Sequence, residues 1–231
     1  MGIMSPPFRA DHVGSILRSA PLKQAREQKA RGEVTADQLK AVEDAEILKI
    51  IAKQEEVGLK GITDGEFRRS WWHYDYLAGL EGVKLVEVDS GIKFAGVQTK
   101  AEAPYVEGKL GGRNHYHVDH FKFVAANTKQ TPKMSIPSPS MLHYRGGTKM
   151  INKDVYPKMD DFWTDLGKAY GQSIKEFHDA GCRYLQIDDC SMAYFCDPAQ
   201  RQMLTDRGED PAQLEEAYAY VLNTALENRP K

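Results

Sequence analysis

Short apolar runs that end in polar residues recur along the chain, and segments with helical periodicity separate them. Three runs are typical of short buried strands, and they occupy residues 59–62, 133–137 and 183–187. A further run, over residues 8–17, has Gly and Ser just after its apolar centre, as where a strand turns into a loop. We therefore place His12, Gly14 and Ser15 at the end of a strand.

The segments between these runs carry the start and stop signals of helices. A basic helix is predicted over residues 21–32, a long one between the capping box at Thr35 and Gly58, and an amphipathic one over residues 160–180. Asp197 and Asp210, each followed by proline, begin two more helices. The predicted apolar face of the long helix consists of Leu39, Val42, Leu48, Ile51 and Val57, and that of the last helix consists of Leu214, Tyr218, Val221, Leu222 and Ala225.

Strands that alternate with helices, with polar clusters at the carboxyl ends of the strands, are typical of a parallel α/β protein. We count about five such strands in one domain over residues 1–231. Alternation over residues 91–98 predicts strands or a hairpin, and the Gly- and His-rich residues 108–120 predict a loop. No GxGxxG sequence follows a strand, which weakens a dinucleotide-binding interpretation.

Composition narrows the function class. The 231 residues are 41% apolar and 28% charged, and the formal net charge of −2 disfavours nucleic acid as a partner. No apolar window approaches the roughly 18 residues of a membrane span, so we expect no membrane partner and a cytoplasmic location. The three cysteines are Cys182, Cys190 and Cys196, an odd number that points to reduced thiols.

Two places concentrate acidic side chains after predicted strands. Glu66 lies in a dense polar and aromatic segment, where it either holds a substrate ammonium group or forms a structural pair with Arg68 or Arg69. Asp188 and Asp189 point to opposite faces of a strand, so they do not form an acid/base pair. We expect Asp189 to be a helix cap or an ion-pair partner.

Histidine and cysteine spacings favour no metal site. The seven histidines and three cysteines form no CxxC, HxH or HExxH sequence. On the residues alone, His12 is more often a hydrogen-bonded histidine beside a turn than a ligand-binding group.

Five stretches, in order along the chain, resemble the cobalamin-independent methionine synthase family. The likeness is to the short single-barrel members, which are similar to the catalytic C-terminal half of the long enzyme, and it runs from Phe8 to the last residue. The stretches are residues 8–18, 63–73, 97–100, 135–143 and 181–189. The resemblance implies a (β/α)8 TIM barrel, of which this chain covers about the first five strands.

The resemblance also implies a reaction. It is that of a 5-methyltetrahydropteroyltriglutamate–homocysteine S-methyltransferase in methionine biosynthesis, which moves a methyl group from methylfolate to the sulfur of homocysteine. In the complete family barrel zinc binds that sulfur. A Lewis acid is needed because a thiol is mostly protonated at neutral pH and only the thiolate attacks.

Site roles follow from motif positions in the resemblance. Gly14 and Ser15 match the pair that contacts the homocysteine carboxylate, whereas Glu66 and Asp188 match the carboxylates that hold its amino group. His12 stands in the same loop, where the long enzymes carry other residues. The stretch that contains Ser140 and Tyr144 matches the place where the family approaches the pterin, so the resemblance makes these two residues folate-binding candidates.

The sequence departs from the family at its end. The family's zinc ligands follow the helix that here ends near Asn228, and this chain stops at Lys231. We therefore expect half a site, an isolated chain that binds no stoichiometric zinc and is inactive, and association with itself or with a complementary chain. Two alternatives stay open: a zinc thiol alkyltransferase of the epoxide:coenzyme M type, or a non-catalytic half barrel that needs a partner chain. The carboxylates argue for an amino acid thiol.

Overall fold

A computed structural model describes residues 6–88 and 102–230, together with the strand backbones of 93–94 and 97–98. The strands are β1 (Gly61–Ile62), β2 (Glu81–Glu87), β3 (Lys93–Phe94), β4 (Val97–Gln98), β5 (Glu102–Gly111), β6 (Thr131–Pro132), β7 (Met134–Pro137) and β8 (Leu185–Asp188). The helices are α1 (Ala20–Ala30), α2 (Ala36–Glu56), α3 (Tyr74–Leu77), α4 (His117–Asn127), α5 (Met141–Tyr144), α6 (Met159–Asp179), α7 (Ser191–Tyr194), α8 (Pro198–Asp206) and α9 (Pro211–Glu227).

The chain divides into two compact units. The first unit falls within Met1–Ser70, His117–Ser135 and Phe177–Gln186, and the second within Trp71–Tyr116, Ile136–Glu176 and Ile187–Lys231. This division does not decide whether residues 1–231 form one domain, which stays a prediction.

Local sequence signals begin the helices of the first unit. Ser19 caps α1 through its hydroxyl, and Pro21 stands in the first turn, where a missing N–H costs nothing. Thr35 and Gln38 form the predicted capping box of α2, with hydrogen bonds in both directions. Both helices therefore start where their caps predict.

The core of the first unit lies between α1, α2, α4 and β1. Its fully buried members are Leu22, Ile47, Ile51, Ile62, Phe67 and Val124. The predicted face of α2 is wrong at Leu48 and Val57, which are exposed. Glu43, Glu46 and Gln54 are buried there instead, because each has a charged or polar partner in the same unit.

One of the described strand pairs lies entirely within the first unit. β1 pairs with β6 in parallel register, Gly61 opposite Thr131. β7 pairs with β8, and the Met134 amide bonds the Tyr184 carbonyl at 3.1 Å. Residues 6–19 form no strand, so the predicted N-terminal strand is wrong: side chains and single backbone bonds hold this segment, with no ladder.

The second unit contains a long antiparallel pair. β2 and β5 pair antiparallel, with a register shift between Glu81 and Val83. A Cβ atom on Gly82 would lie 2.4 Å from the Lys109 carbonyl oxygen, so only glycine permits this close backbone approach. The loop predicted over residues 108–120 is wrong, because β5 continues to Gly111 and α4 begins at His117. Strands or a hairpin are expected over 91–98, and within that range the described strands β3 and β4 pair antiparallel.

Helices α6, α8 and α9 agree with the sequence prediction. Asp197 and Asp210 cap α8 and α9 with carboxylate bonds of 2.9 Å to the amides of Ala199 and Ala212. The predicted apolar face of α9 is buried at Leu214, Tyr218, Val221 and Ala225. Among the helices of the described residues, none is long and apolar enough to cross a membrane.

The α/β class is therefore confirmed. The described strands form four two-stranded pairs and close no barrel. The (β/α)8 arrangement stays a prediction.

Candidate functional site

The segment that precedes α1 is held to the loop that follows β1. The Thr63 hydroxyl donates to the Gly14 carbonyl at 2.8 Å, and the Ile16 amide donates to the Gly65 carbonyl at 3.1 Å. The Arg18 guanidinium donates to the Arg69 carbonyl at 2.7 Å. These contacts bring together two of the stretches that the sequence singles out.

Gly14 and Glu66 meet at this junction. A Cβ atom built on Gly14 would lie 2.8 Å from Glu66 Oε1 and 2.9 Å from Ser135 Oγ. Gly14 is buried, whereas the adjoining Ser15 is exposed. A backbone segment thus lies directly beside a carboxylate.

Glu66 adopts an uncommon backbone conformation. Its φ is 58°, in the left-handed region that non-glycine residues rarely occupy. Its amide donates to Asp64 Oδ1 at 2.7 Å, which helps to hold the turn. Such strain clusters at functional sites, where the surrounding structure over-determines it.

The two carboxylate oxygens of Glu66 have different surroundings. Oε2 forms an ion pair with Arg69, and Oε1 faces Gly14. Arg68 instead pairs with Asp44 at 2.5 Å and with Glu43 at 3.5 Å. The structural pairing expected for Glu66 is therefore present, and its partner is Arg69 rather than Arg68.

Asp64 is the most deeply buried acid of this loop. Burial raises its pKa, although the bond from the Glu66 amide and the charges of Arg68 and Arg69 lower it. The net direction is upward. Its structural role is to accept the hydrogen bond from the Glu66 amide, which stabilises the turn.

His12 has a defined hydrogen-bond partner. Its Nε2 lies 2.9 Å from Gln54 Oε1. That amide is oriented by the Thr63 backbone, which donates to Oε1 at 3.0 Å and accepts from Nε2 of Gln54 at 2.9 Å. Because Oε1 is an acceptor, His12 Nε2 carries a proton. The structural role expected from the sequence, a hydrogen-bonded histidine beside a turn, fits this geometry.

A buried lysine that sequence reasoning missed lies under the same segment. The Lys133 ammonium pairs with Asp11 at 2.9 Å and lies 4.8 Å from the centre of the Tyr184 ring. The Tyr184 hydroxyl donates to the same carboxylate. Burial raises the pKa of Asp11, but the bonds from Tyr184 and Lys133 more than offset it and hold that pKa below its usual range. In the sequence, Lys133 stands at the start of an apolar run, a position that does not distinguish a buried lysine from an exposed one.

Asp188 and Asp189 have separate roles in the second unit. The Asp188 carbonyl accepts from the Ser138 amide at 2.9 Å, which places this residue at the end of the β7–β8 pair. The Asp189 carboxylate accepts from the Ser191 hydroxyl at 2.7 Å and the Met192 amide at 3.1 Å. Asp189 thus accepts a hydrogen bond from an amide of α7, although the N-cap position itself is Cys190, and the expected choice between a helix cap and an ion-pair partner stays a prediction.

The two weak folate candidates are both buried. The Ser140 hydroxyl bonds those of Ser138 and Ser191. The Tyr144 hydroxyl donates to Gln200 at 2.8 Å, and burial raises its pKa to about 12. Contact of either residue with a folate stays a prediction.

Close by in sequence, a buried histidine anchors a charged turn. His143 Nδ1 lies 2.8 Å from the Tyr218 hydroxyl, and Nε2 lies 3.4 Å from Glu209. Burial lowers the pKa of His143, so the ring is neutral near pH 7. Arg207 supplies the positive charge opposite Glu209.

Zinc does not fit the described residues. Residues 6–88 and 102–230 bring together no group of three or more His, Cys, Asp or Glu side chains that could hold a metal ion. The three cysteines are free thiols, and burial raises the pKa of Cys182 to about 11.

Residues 8–225 match the family described as cobalamin-independent synthase, catalytic domain. The chain belongs to this family. A crystal structure from Listeria monocytogenes, provisionally assigned as a vitamin-B12 independent methionine synthase, superimposes with a TM-score of 0.80 at 40% identity. The match covers 99% of this chain and 64% of that one. The α/β fold is thus that of a cobalamin-independent synthase structure.

The chain is also similar to two curated proteins. The uncharacterized protein YxjH of Bacillus subtilis is 47% identical over 97% of this chain and 59% of its own length. The 5-methyltetrahydropteroyltriglutamate–homocysteine methyltransferase of a Synechococcus strain is 35% identical over 81% of this chain and 24% of its own length. The chain therefore spans about three fifths of the length of the first of these relatives.

Proposed function

We propose that the protein is an S-methyltransferase of the cobalamin-independent methionine synthase type, acting on an amino acid thiol of the homocysteine class. The observation that carries this proposal is the junction of Gly14 and Glu66. A backbone segment beside a carboxylate offers donors to the α-carboxylate of a zwitterion and an acceptor to its ammonium group. Family membership supplies the reaction class.

The residue roles belong to the same proposal. Glu66 Oε1 accepts from the substrate ammonium, while Arg69 orients the carboxylate through Oε2. Gly14 and Ser15 bind the α-carboxylate, and Asp188 is a second acceptor for the ammonium. His12 supports the loop through Gln54, and Ser140 and Tyr144 lie in the stretch expected near the folate.

The reaction requires methylfolate as donor. A carbon–sulfur bond forms, the carbon–nitrogen bond of the donor breaks, and the thiol proton passes to the donor nitrogen. The chain's own contribution is to bind and orient the amino acid. Binding energy then offsets part of the entropic cost of bringing the reacting groups together. In the complete family barrel we infer zinc and a (β/α)8 architecture.

Titration calorimetry tests the proposal with two thiols. L-Homocysteine carries an ammonium and a carboxylate, whereas 2-mercaptoethanesulfonate, the coenzyme M thiol, carries neither. We expect native protein to bind L-homocysteine and Glu66→Gln to bind it about tenfold more weakly or worse, a loss of about 1.4 kcal/mol. Glu56→Gln is the matched control, because Glu56 is an exposed carboxylate of α2 paired with Lys53.

The outcomes separate the candidate functions. Binding of 2-mercaptoethanesulfonate with none of L-homocysteine would favour the alkyltransferase alternative. Equal L-homocysteine affinity in native protein and Glu66→Gln would remove Glu66 from the site. Binding of neither thiol by native protein would favour the non-catalytic alternative.

A further inference from the structure

Three consecutive peptide carbonyls in the segment before α1 each accept a hydrogen bond from a different side chain. Lys133 donates to the carbonyl of His12, Ser135 to that of Val13, and Thr63 to that of Gly14. We call Thr63, Lys133 and Ser135 the carbonyl clamp. Its members follow β1 or lie at the start of β7, so two strands of the protein hold the segment through side-chain bonds.

The clamp determines where the next amides point. In a trans peptide the N–H is directed opposite to the carbonyl of the preceding residue. Each clamped carbonyl therefore turns one N–H away from the clamp, and these belong to Val13, Gly14 and Ser15. A carbonyl that accepts a hydrogen bond also polarises its peptide, which strengthens the opposite N–H as a donor.

Lys133 makes the clamp rigid. Its side chain is completely buried, and an ammonium buried without partners is strongly destabilising. The Asp11 carboxylate and the Tyr184 ring provide those partners, together with the His12 carbonyl. The ammonium thus ties residues 11 and 12 to one position.

We propose that the carbonyl clamp is a set of positioning residues that holds the amides of residues 13–15 as a receptor for the substrate's α-carboxylate. This role rests on the function proposed above. None of the three clamp side chains needs to touch the substrate. Glu66, which adjoins Gly14, binds the ammonium group of the same substrate. The clamp therefore sets the distance between the site for the α-carboxylate and the site for the ammonium group.

Hydroxyl deletions test the clamp without removing the buried charge. Ser135→Ala removes one clamp bond. Thr63→Val also removes one, but it takes away in addition the bond that the Thr63 hydroxyl accepts from the Gly65 amide at 3.1 Å, so it is the less selective variant. Ser173→Ala is the matched control, because the Ser173 hydroxyl donates to a glycine carbonyl, that of Gly112, at 2.9 Å in the second unit. Hydrogen–deuterium exchange of peptides covering residues 11–18, without ligand, reports on the segment itself.

Affinity for two thiols reports on the receptor. The probes are L-homocysteine and 3-mercaptopropan-1-amine, which lacks only the carboxylate. In Ser135→Ala we expect faster exchange over residues 11–18, at least about tenfold weaker binding of L-homocysteine, and less than about twofold change for the amine. In Thr63→Val we expect the same faster exchange and the same loss for L-homocysteine. Ser173→Ala should change none of the three.

Each departure has its own meaning. Unchanged exchange over residues 11–18 would overturn the clamp. Faster exchange with equal losses for both thiols would overturn the carboxylate receptor, because it indicates general loosening. If native protein binds neither thiol, the proposed function is wrong and the receptor role with it, and the exchange data then decide only whether the clamp positions the segment.

Discussion

Glu66 Oε1 lies 2.8 Å from the position that a Cβ atom on Gly14 would occupy. Real Cβ atoms essentially never approach another atom so closely, and Ser135 Oγ is only 0.1 Å farther away, at 2.9 Å. Any side chain at position 14 must therefore displace the carboxylate, the hydroxyl or the segment itself. Glycine is what lets the backbone and the carboxylate adjoin.

Gly14→Ala should consequently damage the site more than the fold. We expect about a tenfold or greater loss in L-homocysteine affinity and a stability cost of about 1–3 kcal/mol, typical of overpacking. Calorimetry and urea denaturation measure the two effects. The control is Gly171→Ala in α6, where a new Cβ would meet the Ala225 backbone at ordinary contact distances, 3.4 Å from the carbonyl oxygen and 4.0 Å from Cα. Native affinity in Gly14→Ala would show that the carboxylate has room to move.

Glu209 gives stability a defined acid dependence. Burial alone would raise its pKa, but the adjacent His143 ring and the Arg207 guanidinium lower it to about 2. A carboxyl whose pKa falls on folding stabilises the protein above its ordinary pKa, and this contribution is lost as pH falls from about 4.5 toward 2.

Glu209→Gln should therefore flatten the fall in melting temperature between pH 5 and about 2.5. At pH 6 we expect a loss of roughly 1 kcal/mol or more, after allowance for solvent screening. Glu216→Gln, which removes an exposed carboxylate of α9, controls for the loss of one charge. A Glu209→Gln curve parallel to that of native protein would contradict the assignment.

Asp11 and Lys133 should be strongly coupled. Asp11→Asn leaves a buried ammonium without its countercharge, which we expect to cost about 2–4 kcal/mol, because Asp11 itself is partly exposed. The double variant with Lys133→Met should be more stable than the sum of the single effects. Guanidinium denaturation of the four proteins measures the coupling, and additive losses would argue against it.

Glu66 and Asp188 are proposed to bind one ammonium group. If they do, Glu66→Gln and Asp188→Asn each weaken L-homocysteine binding, and the double variant loses less than the product of the single losses. A titration of all four proteins gives the coupling free energy. Independent losses that multiply would assign the two carboxylates to different ligands.

Local chemistry explains which elements were predictable. Thr35, Asp197 and Asp210 act on amides two or three residues away, so the sequence alone locates α2, α8 and α9. β5 was missed because its partner is β2, with Val83 opposite Val106, and such pairing leaves no local signal. Residues 8–17 were misassigned for the same reason, since partners far along the chain hold them.

The candidate site divides in the same way. Gly14 and Glu66 could be singled out because they follow apolar runs, and Asp189 because alternation turns it away from Asp188. The carbonyl clamp could not, since Lys133 lies 121 residues from the His12 carbonyl that it binds. A lysine at the start of a strand ordinarily indicates a solvated end.

The left-handed backbone of Glu66 sets competing demands on that position. Glycine adopts a φ of 58° without the cost of about 1–3 kcal/mol that a residue with a side chain bears. Selection for heat resistance alone would therefore tend to replace Glu66 with glycine, and selection for recognition of an amino group would restore glutamate. A library of variants at position 66 should therefore be enriched in glycine when it is screened for heat resistance and in glutamate when it is screened for recognition of an amino group.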